Sequence, residues 1–495
     1  MIIGTRTLYP HQERAVQWMM EREKDADCRG GFLCDDMGLG KTWSVLGLLR
    51  STTADCPRTL LLCPLVLIDQ WTAGALEAGF TVYHYPSSHR WAMVGPAKPV
   101  SRGTIYIANF ERIDERETTI LQFDRLIIDE AHVLRNGFSK RYGKIYELAK
   151  EVPRTWCLTG TPLVNQLEDV QSLYRLVRGN KRAGTIGSFD AALDVMGTYA
   201  LRRSVEDVGS LTLSLGPRPD DTHIVLDFET DAEASFYRMI QGQIQRQLEA
   251  FEEFDVGNAA VIFKLLLRLR QISIHPQVYI QGQRRTHGPA YTRANWAGRS
   301  STKVNGLLDL LSQQTLGHNW VVFCNFQDEI ELLRGVLIQQ PYIGTVSTYH
   351  GKKRIEERAE TLQEHREACE RNTDVPVDEL YGLPCFASMP DDVCRHIYSF
   401  MKPVQNVILV QIHCGGTGLN LQENDRVVFM SPWWTSALMK QAVARVYRMG
   451  QRKHVQVYRL MLKEEASLNI DKRMMSKALE KEDLCSALLD ACIHG

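Results

Sequence analysis

Three short stretches of the chain carry residue types whose spacing suits phosphoryl transfer. The first is Gly40-Lys41-Thr42 within "GFLCDDMGLGKTWSVLGLL", Gly31 to Leu49. Glycines there let backbone N–H groups curl around phosphates, and the opening of a helix adds positive potential. Lys41 then meets the β- and γ-oxygens, and Thr42 is placed to hold Mg²⁺. The general pattern wants glycine six positions before the lysine; this chain has Asp35. The second stretch is "LIIDEAH", where Asp129 ends an apolar run and can hold the Mg²⁺ shell. Its neighbour Glu130 can orient and deprotonate an attacking water. The third is "QAVARVYRMGQ", whose Gln441, Arg445 and Arg448 at i, i+4 and i+7 predict one face of a helix. Arginines there suit the charge that develops as a γ-phosphate leaves. Taken singly, each has a plainer reading: a chance loop, a solvated helix start, a basic solvated face.

The elements that must position these residues are also legible. "TLLLCPLVLI", "TIYIANF", "FDRLIIDEAH" and "RTWCLTGTP" are apolar runs ending in polar loops, and they alternate with helix-like segments. That pattern predicts an α/β lobe with a buried parallel sheet, its ligand groups gathered at the carboxyl ends of the strands. "NWVVFCNF", "TVSTYHG", "VILVQIHCGGTGLNL" and "DRVVFMSPWW" repeat the pattern and predict a second lobe. The expected division is lobe one over 1–200, a helical connector over 201–300, lobe two over 301–470 and a helical tail over 471–495. An insert over about 367–403 holds "LPCFASMPDDVCRHIYSFM", which faintly resembles an F-box helix and reads better as a structural insert, although a protein partner could dock there.

Composition narrows the class. Of 495 residues, 44% are hydrophobic and 24% charged, too long a chain for one core and ordinary for a soluble protein. The N-terminus lacks a signal peptide's apolar stretch, and no run is long enough to span a bilayer, so no membrane association is expected. Twelve cysteines without a C-x-x-C pair predict reduced thiols and no zinc; Cys369, Cys385, Cys394 and His396 form only a loose cluster. Net charge is −1, yet between Asp255 and Asp309 no acidic residue occurs while Lys264, Arg268, Arg270, Arg284, Arg285, Arg293, Arg299 and Lys303 do. That block reads equally as a phosphate-facing surface or as a solvated basic one.

The motifs in order resemble the superfamily-two helicases, and within them the Swi/Snf-type DNA-dependent ATPases. "LYPHQERAVQWM" resembles the Q-motif, "CDDMGLGKT" the first motif (which in this family opens with acidic residues), "LLLCPLVLIDQW" the next, "DEAH" the Walker B, and "LTGTPLVNQLEDVQSL" the coupling motif. "LRRSVEDV", "RLRQISIHP", "VVFCNF", "HCGGTGLNL" and "QAVARVYRMGQ" follow in family order. The resemblance implies two RecA-like lobes using ATP and Mg²⁺ to move along double-stranded DNA. It implies nucleotide contacts at Gln12 (over adenine), Asp35, Asp36, Met37, Gly38, Leu39, Gly40, Lys41, Thr42 and Gly418. It puts DNA contacts at Pro64, Asn109, Thr159, Thr161, Asn325, Gly415, Thr417 and Asn420. The wording is most similar to the branch of helicase-like transcription factor and the post-replication-repair ATPases, with a large-DNA-virus member also in keeping. Three departures stand out: no RING-type cysteine pattern, Ala444 where glycine is usual, and Ser431-Pro-Trp-Trp-Thr435 in place of Asp-Pro-Trp-Trp-Asn. Implied partners are duplex DNA and chromatin or other DNA-bound protein, in a nucleus or viral replication compartment; Lys352-Lys353-Arg354 is too short to read as an import signal. A strand-separating helicase on RNA or single strands, and an inactive scaffold, are the competing readings.

Overall fold

The structure, a computed structural model, describes residues 1–85, 91–95, 103–113, 121–161, 166–179, 181, 183–209, 216–249, 256–288, 291, 295–314, 317–371, 404–415, 419–448, 450–463 and 469–493. Side chains at 256–260, 355, 415 and 484 lie outside this description.

A small hairpin of β1 (Ile2–Ile3) and β2 (Arg6–Thr7) precedes the first sheet. That sheet contains β3 (Gly30–Leu33), β4 (Arg58–Cys63), β5 (Thr81–His84), β6 (Ala92–Val94), β7 (Thr104–Asn109), β8 (Arg125–Asp129), β9 (Thr155–Leu158) and β10 (Ala200–Leu201). Their spatial order is β10-β3-β9-β8-β4-β7-β5-β6, and every pairing is parallel except β5 with β6. The second sheet is wholly parallel. It orders β11 (Asp220–Leu226), β12 (Asn319–Cys324), β13 (Ile343–Tyr349), β14 (Gln405–Gln411), β15 (Arg426–Phe429) and β16 (Gln456–Leu462) as β11-β16-β15-β12-β14-β13.

The continuous apolar runs have a direct cause. Alternate residues of a strand point to opposite faces, so a strand covered on both sides needs both sets apolar. In β4, Leu60 and Leu62 join one core cluster while Leu61 and Cys63 join the cluster on the other face. In β12, Trp320 and Val322 divide from Val321 and Phe323 in the same way. The buried pair Arg125–Glu23, with Arg125 Nε to Glu23 Oε1 at 2.6 Å, fixes β8 against the end of helix Pro10–Arg22. Trp156 Nε1 donates to the same Glu23 oxygen at 2.9 Å and brings in β9.

The expected division into parts meets two findings. The stretch expected as connector contains β11, which is the edge strand of the second sheet. Helices Asp231–Glu249, Val256–Ile274 and Pro276–His287 then supply the connector's own cluster, around Tyr237, Leu269 and Tyr279. Helix Ile470–Asp490, expected as a tail, runs along all three parts. Ile470 and Met474 pack in the connector cluster, Ala478 in lobe two, and Leu488, Leu489 and Cys492 in lobe one. Its start is held by the fully buried pair Lys303–Asp471 at 2.7 Å, and beyond its end Ile493 adds a parallel bridge to Leu201.

Candidate nucleotide and nucleic-acid site

The loop from Asp35 to Thr42 leaves the end of β3 and enters helix Lys41–Ser51. Gly38 and Gly40 have φ of 88° and 78°, a left-handed conformation that side chains disfavour, and this turns successive N–H groups toward one point. Lys41 Nζ donates to the carbonyls of Asp35 (2.6 Å) and Asp36 (3.3 Å), so the ammonium sits over the loop. Leu39's carbonyl is held by His11 Nε2 at 2.9 Å and Gln12 Nε2 at 3.1 Å. Gln12 Oε1 meanwhile accepts from Tyr9 N at 3.1 Å, and the side chain is buried. The expected adenine reader thus has both ends of its amide engaged in fixing the loop.

Asp35, the residue in place of the usual glycine, is fully buried and pairs with Arg203, whose Nε donates to Oδ1 at 2.9 Å. Arg203 also donates from its guanidinium to Asp35 Oδ2 and to the carbonyl of His11. The acidic opening of the loop is therefore a clamp, joining it to β10 and to the first helix. Asp36 lies beside Arg202 at 3.7 Å and accepts from Val205 N at 3.3 Å; burial raises its pKa.

Across β9, the strand β8 delivers Asp129. Trp71 Nε1 donates to its Oδ2 at 2.8 Å and Glu130 N to its Oδ1 at 2.9 Å. Burial and the neighbouring Glu130 push Asp129 up to about 6. Glu130 holds φ at 50°, one of two positive values outside glycine among the described residues. Such backbone strain, roughly 1–3 kcal/mol, persists where surroundings fix a side chain's aim. Burial drives His132 down to about 4, so its 3.4 Å contact with Glu130 involves a neutral ring.

Lobe two meets this face. Arg445 Nη2 lies 3.8 Å from Glu130 Oε1, both side chains being about one-seventh exposed (14% and 13%). A Cβ built on Gly38 would lie 3.8 Å from Arg448 Cβ. Burial lowers the pKa of both arginines; Glu130 and Asp129 oppose this for Arg445, while Arg445 adds to it for Arg448. The expectation that Gln441, Arg445 and Arg448 share one helical face is corrected here. The helix spans Ser436–Val443, and the arginines sit on the turns after it, Ala444 being the cap. Breaking the helix there lets Leu421 N bond the carbonyl of Arg445 at 3.0 Å and Gln451 N that of Arg448 at 2.9 Å.

The donors present fit a nucleotide with Mg²⁺: an ammonium on a glycine turn, a helix-start hydroxyl at Thr42, and a buried carboxylate of raised pKa at Asp129. Met37 and Gly38 are half-buried within the same loop. Gly418 and Thr417 lie outside the described residues.

The expected DNA residues occupy strand ends. Pro64 follows β4, Asn109 ends β7, and Thr159 and Thr161 follow β9. Asn109 Nδ2 donates to the Cys63 carbonyl at 3.2 Å, and Thr159 Oγ1 accepts from Thr161 N at 3.1 Å. In lobe two Asn325 follows β12, Gly415 closes the short turn after β14, and Asn420 is exposed. The basic block is divided between buried and exposed members. Lys303 and Arg270 are buried, Arg268 donates to Gln271 Oε1 at 2.7 Å, and Arg285 pairs with Asp328. Lys264, Arg284, Arg285 and Arg299 are exposed, Arg285 beside Asp328; Arg293 lies outside the described residues. Sequence reasoning assigned no role to Arg203, His11 or Trp71. The signal for Arg203 was the pair Arg202-Arg203 directly after the apolar Ala200-Leu201.

The SNF2-related domain model matches residues 11–278, and the helicase conserved C-terminal domain model matches 383–450. A protein named "Probable global transactivator" from Orgyia pseudotsugata multicapsid polyhedrosis virus is 27% identical over 492 residues, covering 93% of this chain and 87% of its own. The "DNA repair protein rad5" of Neurospora crassa is 23% identical over 94% of this chain, which spans 51% of that protein. The solved "Sulfolobus solfataricus SWI2/SNF2 ATPase core in complex with dsDNA" aligns over 100% of this chain and 98% of its own at 18% identity and TM-score 0.39.

Proposed function

The chain belongs to the SNF2-related family of helicase-like ATPases, and on that premise we propose that it hydrolyses ATP between its lobes to translocate along double-stranded DNA, displacing or remodelling protein bound there. The observation that carries the reading is the contact of Arg445 with Glu130, at 3.8 Å from one lobe to the other. Hydrolysis that needs both residues needs the lobes together, which couples the chemistry to relative motion.

In this reading Lys41 and the loop N–H groups hold the β- and γ-phosphates, and Thr42 with Asp129 would hold Mg²⁺. When bound, Mg²⁺ neutralises charge on the phosphate oxygens. Glu130 orients water and takes its proton. Arg445 and Arg448 stabilise charge on the departing γ-phosphate, an effect of roughly 10³–10⁵ in rate in comparable enzymes. Gln12 and His11 keep the loop in register, and Gln12 lies at the adenine side.

For the nucleic acid, Pro64, Asn109, Thr159, Thr161, Asn325, Gly415, Thr417 and Asn420 form the contact track. Such residues meet phosphates and sugars, so binding is sequence-blind and weakens with salt. The relative named for DNA repair favours DNA as the partner, and the place of work is the nucleus or a viral replication compartment. Among the described residues no helix is long and apolar enough to cross a membrane.

Displacement of a third strand from a duplex tests translocation without requiring strand separation. ATP-dependent release from triplex supports the proposal. Release of one strand of a plain duplex, or hydrolysis stimulated by RNA alone, would replace it with a strand-separating helicase.

A further inference from the structure

The connector's Arg270 is not used by the chemistry above, yet it is 3% exposed and its ring contacts lead to the Asn325 loop and, through Trp433, to the His413–Gly415 turn of lobe two. Its guanidinium stacks over the Trp433 ring, 4.2 Å from the centroid, and lies 5.7 Å from that of Phe326. Phe326 adjoins Asn325 on the loop after β12. Trp433 in turn takes His413 edge-on at 4.6 Å, and His413 lies on the turn after β14 that leads to Gly415. One side chain from helix Val256–Ile274 thus supports both loops.

The same place holds a buried carboxylate. Glu329 Oε2 accepts from Asn325 N at 2.7 Å and Phe326 N at 3.0 Å, fixing the first loop's backbone. Arg270 and Glu329 are electrostatic partners, and burial brings Arg270 down to about 10 and Glu329 up to about 7. Among the described residues, Arg270 Nε and Nη2, Glu329 Oε1 and the Asn325 side-chain oxygen have no hydrogen-bond partner. A buried guanidinium without a full set of acceptors is a costly choice for mere filling, since an apolar side chain of that size packs without the desolvation penalty. What arginine adds is a flat cation that lies against an aromatic ring while its charge faces a carboxylate.

We infer that Arg270, resting on Trp433, is a positioning residue for DNA engagement by lobe two: it holds the Asn325 loop and the His413–Gly415 turn in register from the connector. The inference rests on the duplex-DNA reading. It gives the connector a task carried by a buried arginine. The connector's arginine acts from beneath the loops, through other side chains, and touches no phosphate itself.

The test compares wild type with Arg270→Gln, Arg270→Lys, Trp433→Leu and Trp433→Phe in the full chain. Three quantities are read: ATP hydrolysis without DNA, the duplex concentration giving half-maximal stimulation, and amide hydrogen exchange at Asn325 and Phe326. Arg270→Gln raises the half-maximal DNA concentration roughly tenfold and leaves the DNA-free rate unchanged. Trp433→Leu reproduces the shift, Trp433→Phe restores most of it, and Arg270→Lys falls between. Exchange at Asn325 and Phe326 quickens in Arg270→Gln while that of helix Lys41–Ser51 does not. An unshifted DNA concentration with unchanged exchange overturns the inference, as does a DNA-free rate that falls in step. If Arg270→Gln does not fold, Arg270→Lys and the two Trp433 variants carry the same comparison. Should wild type prove indifferent to DNA, the duplex reading falls, and the exchange arm alone then decides whether Arg270 positions the loop.

Discussion

The two lobes meet at one face with opposite electrostatic preparation. On lobe one the phosphate loop is tied internally: Lys41 on its own loop's carbonyls, Asp35 on Arg203, and the Leu39 carbonyl on His11 and Gln12. On lobe two the corresponding groups are cations on turns, and the buried charge of Arg445 meets Glu130 and Asp129 from across the cleft. In the proposed mechanism lobe one would hold the nucleotide and lobe two would act when it arrives. Binding and hydrolysis should then separate by lobe.

The strongest way to break that comparison is Arg445→Ala. It should lower the hydrolysis rate by roughly 10³–10⁵ while ATP affinity stays near that of wild type. Parallel loss of affinity in a binding assay would mean that lobe two helps to hold the nucleotide. Glu130→Gln comes next, with a loss of roughly 10²–10⁴ in rate and retained binding, read in a single-turnover assay.

Arg203→Met sharpens the lobe-one side. It leaves Asp35 charged and buried without its partner, at a cost of about 3–5 kcal/mol, and should weaken nucleotide binding because the loop loses its clamp. Denaturation with and without ATP reads both effects; an unchanged midpoint contradicts the clamp. The smallest effect expected is on lobe two's stability against pH. Burial holds Glu329 at about 7 against 4.5 for the ordinary group, so the folded state binds this proton more tightly than the unfolded one. Stability from this group is full below about 4.5 and lost as pH rises through about 7. Relative to Glu329→Gln, wild type should lose about 3 kcal/mol over that window. A pH series of unfolding midpoints in which the two proteins run parallel would refute it.

Much of this was legible in the residues. Strands buried on both faces announce themselves as unbroken apolar runs, so β4, β8, β9, β12, β14 and β15 could be placed from sequence. The phosphate loop and the acidic pair are local motifs, and local motifs survive without tertiary knowledge. What failed depended on distance along the chain. Arg203 meets Asp35 across 168 residues, and no periodicity reports such a pair. Part of the basic block is buried, which charge in a sequence does not reveal; Lys303 is covered and pairs with Asp471 at 2.7 Å. Helix spacing also overreached: Gln441 to Arg448 fits a helical face, but backbone bonds from Leu421 and Gln451 end the helix earlier. The strap formed by Ile470–Asp490 reads as an ordinary amphipathic tail until the cores it completes are known.

The measurement that bears most directly on the central claim is steady-state ATP hydrolysis by wild type and Lys41→Ala, each with and without duplex DNA. The account predicts a wild-type rate that rises with duplex and a Lys41→Ala rate near zero in both conditions. A rate indifferent to both the DNA and the lysine would contradict it.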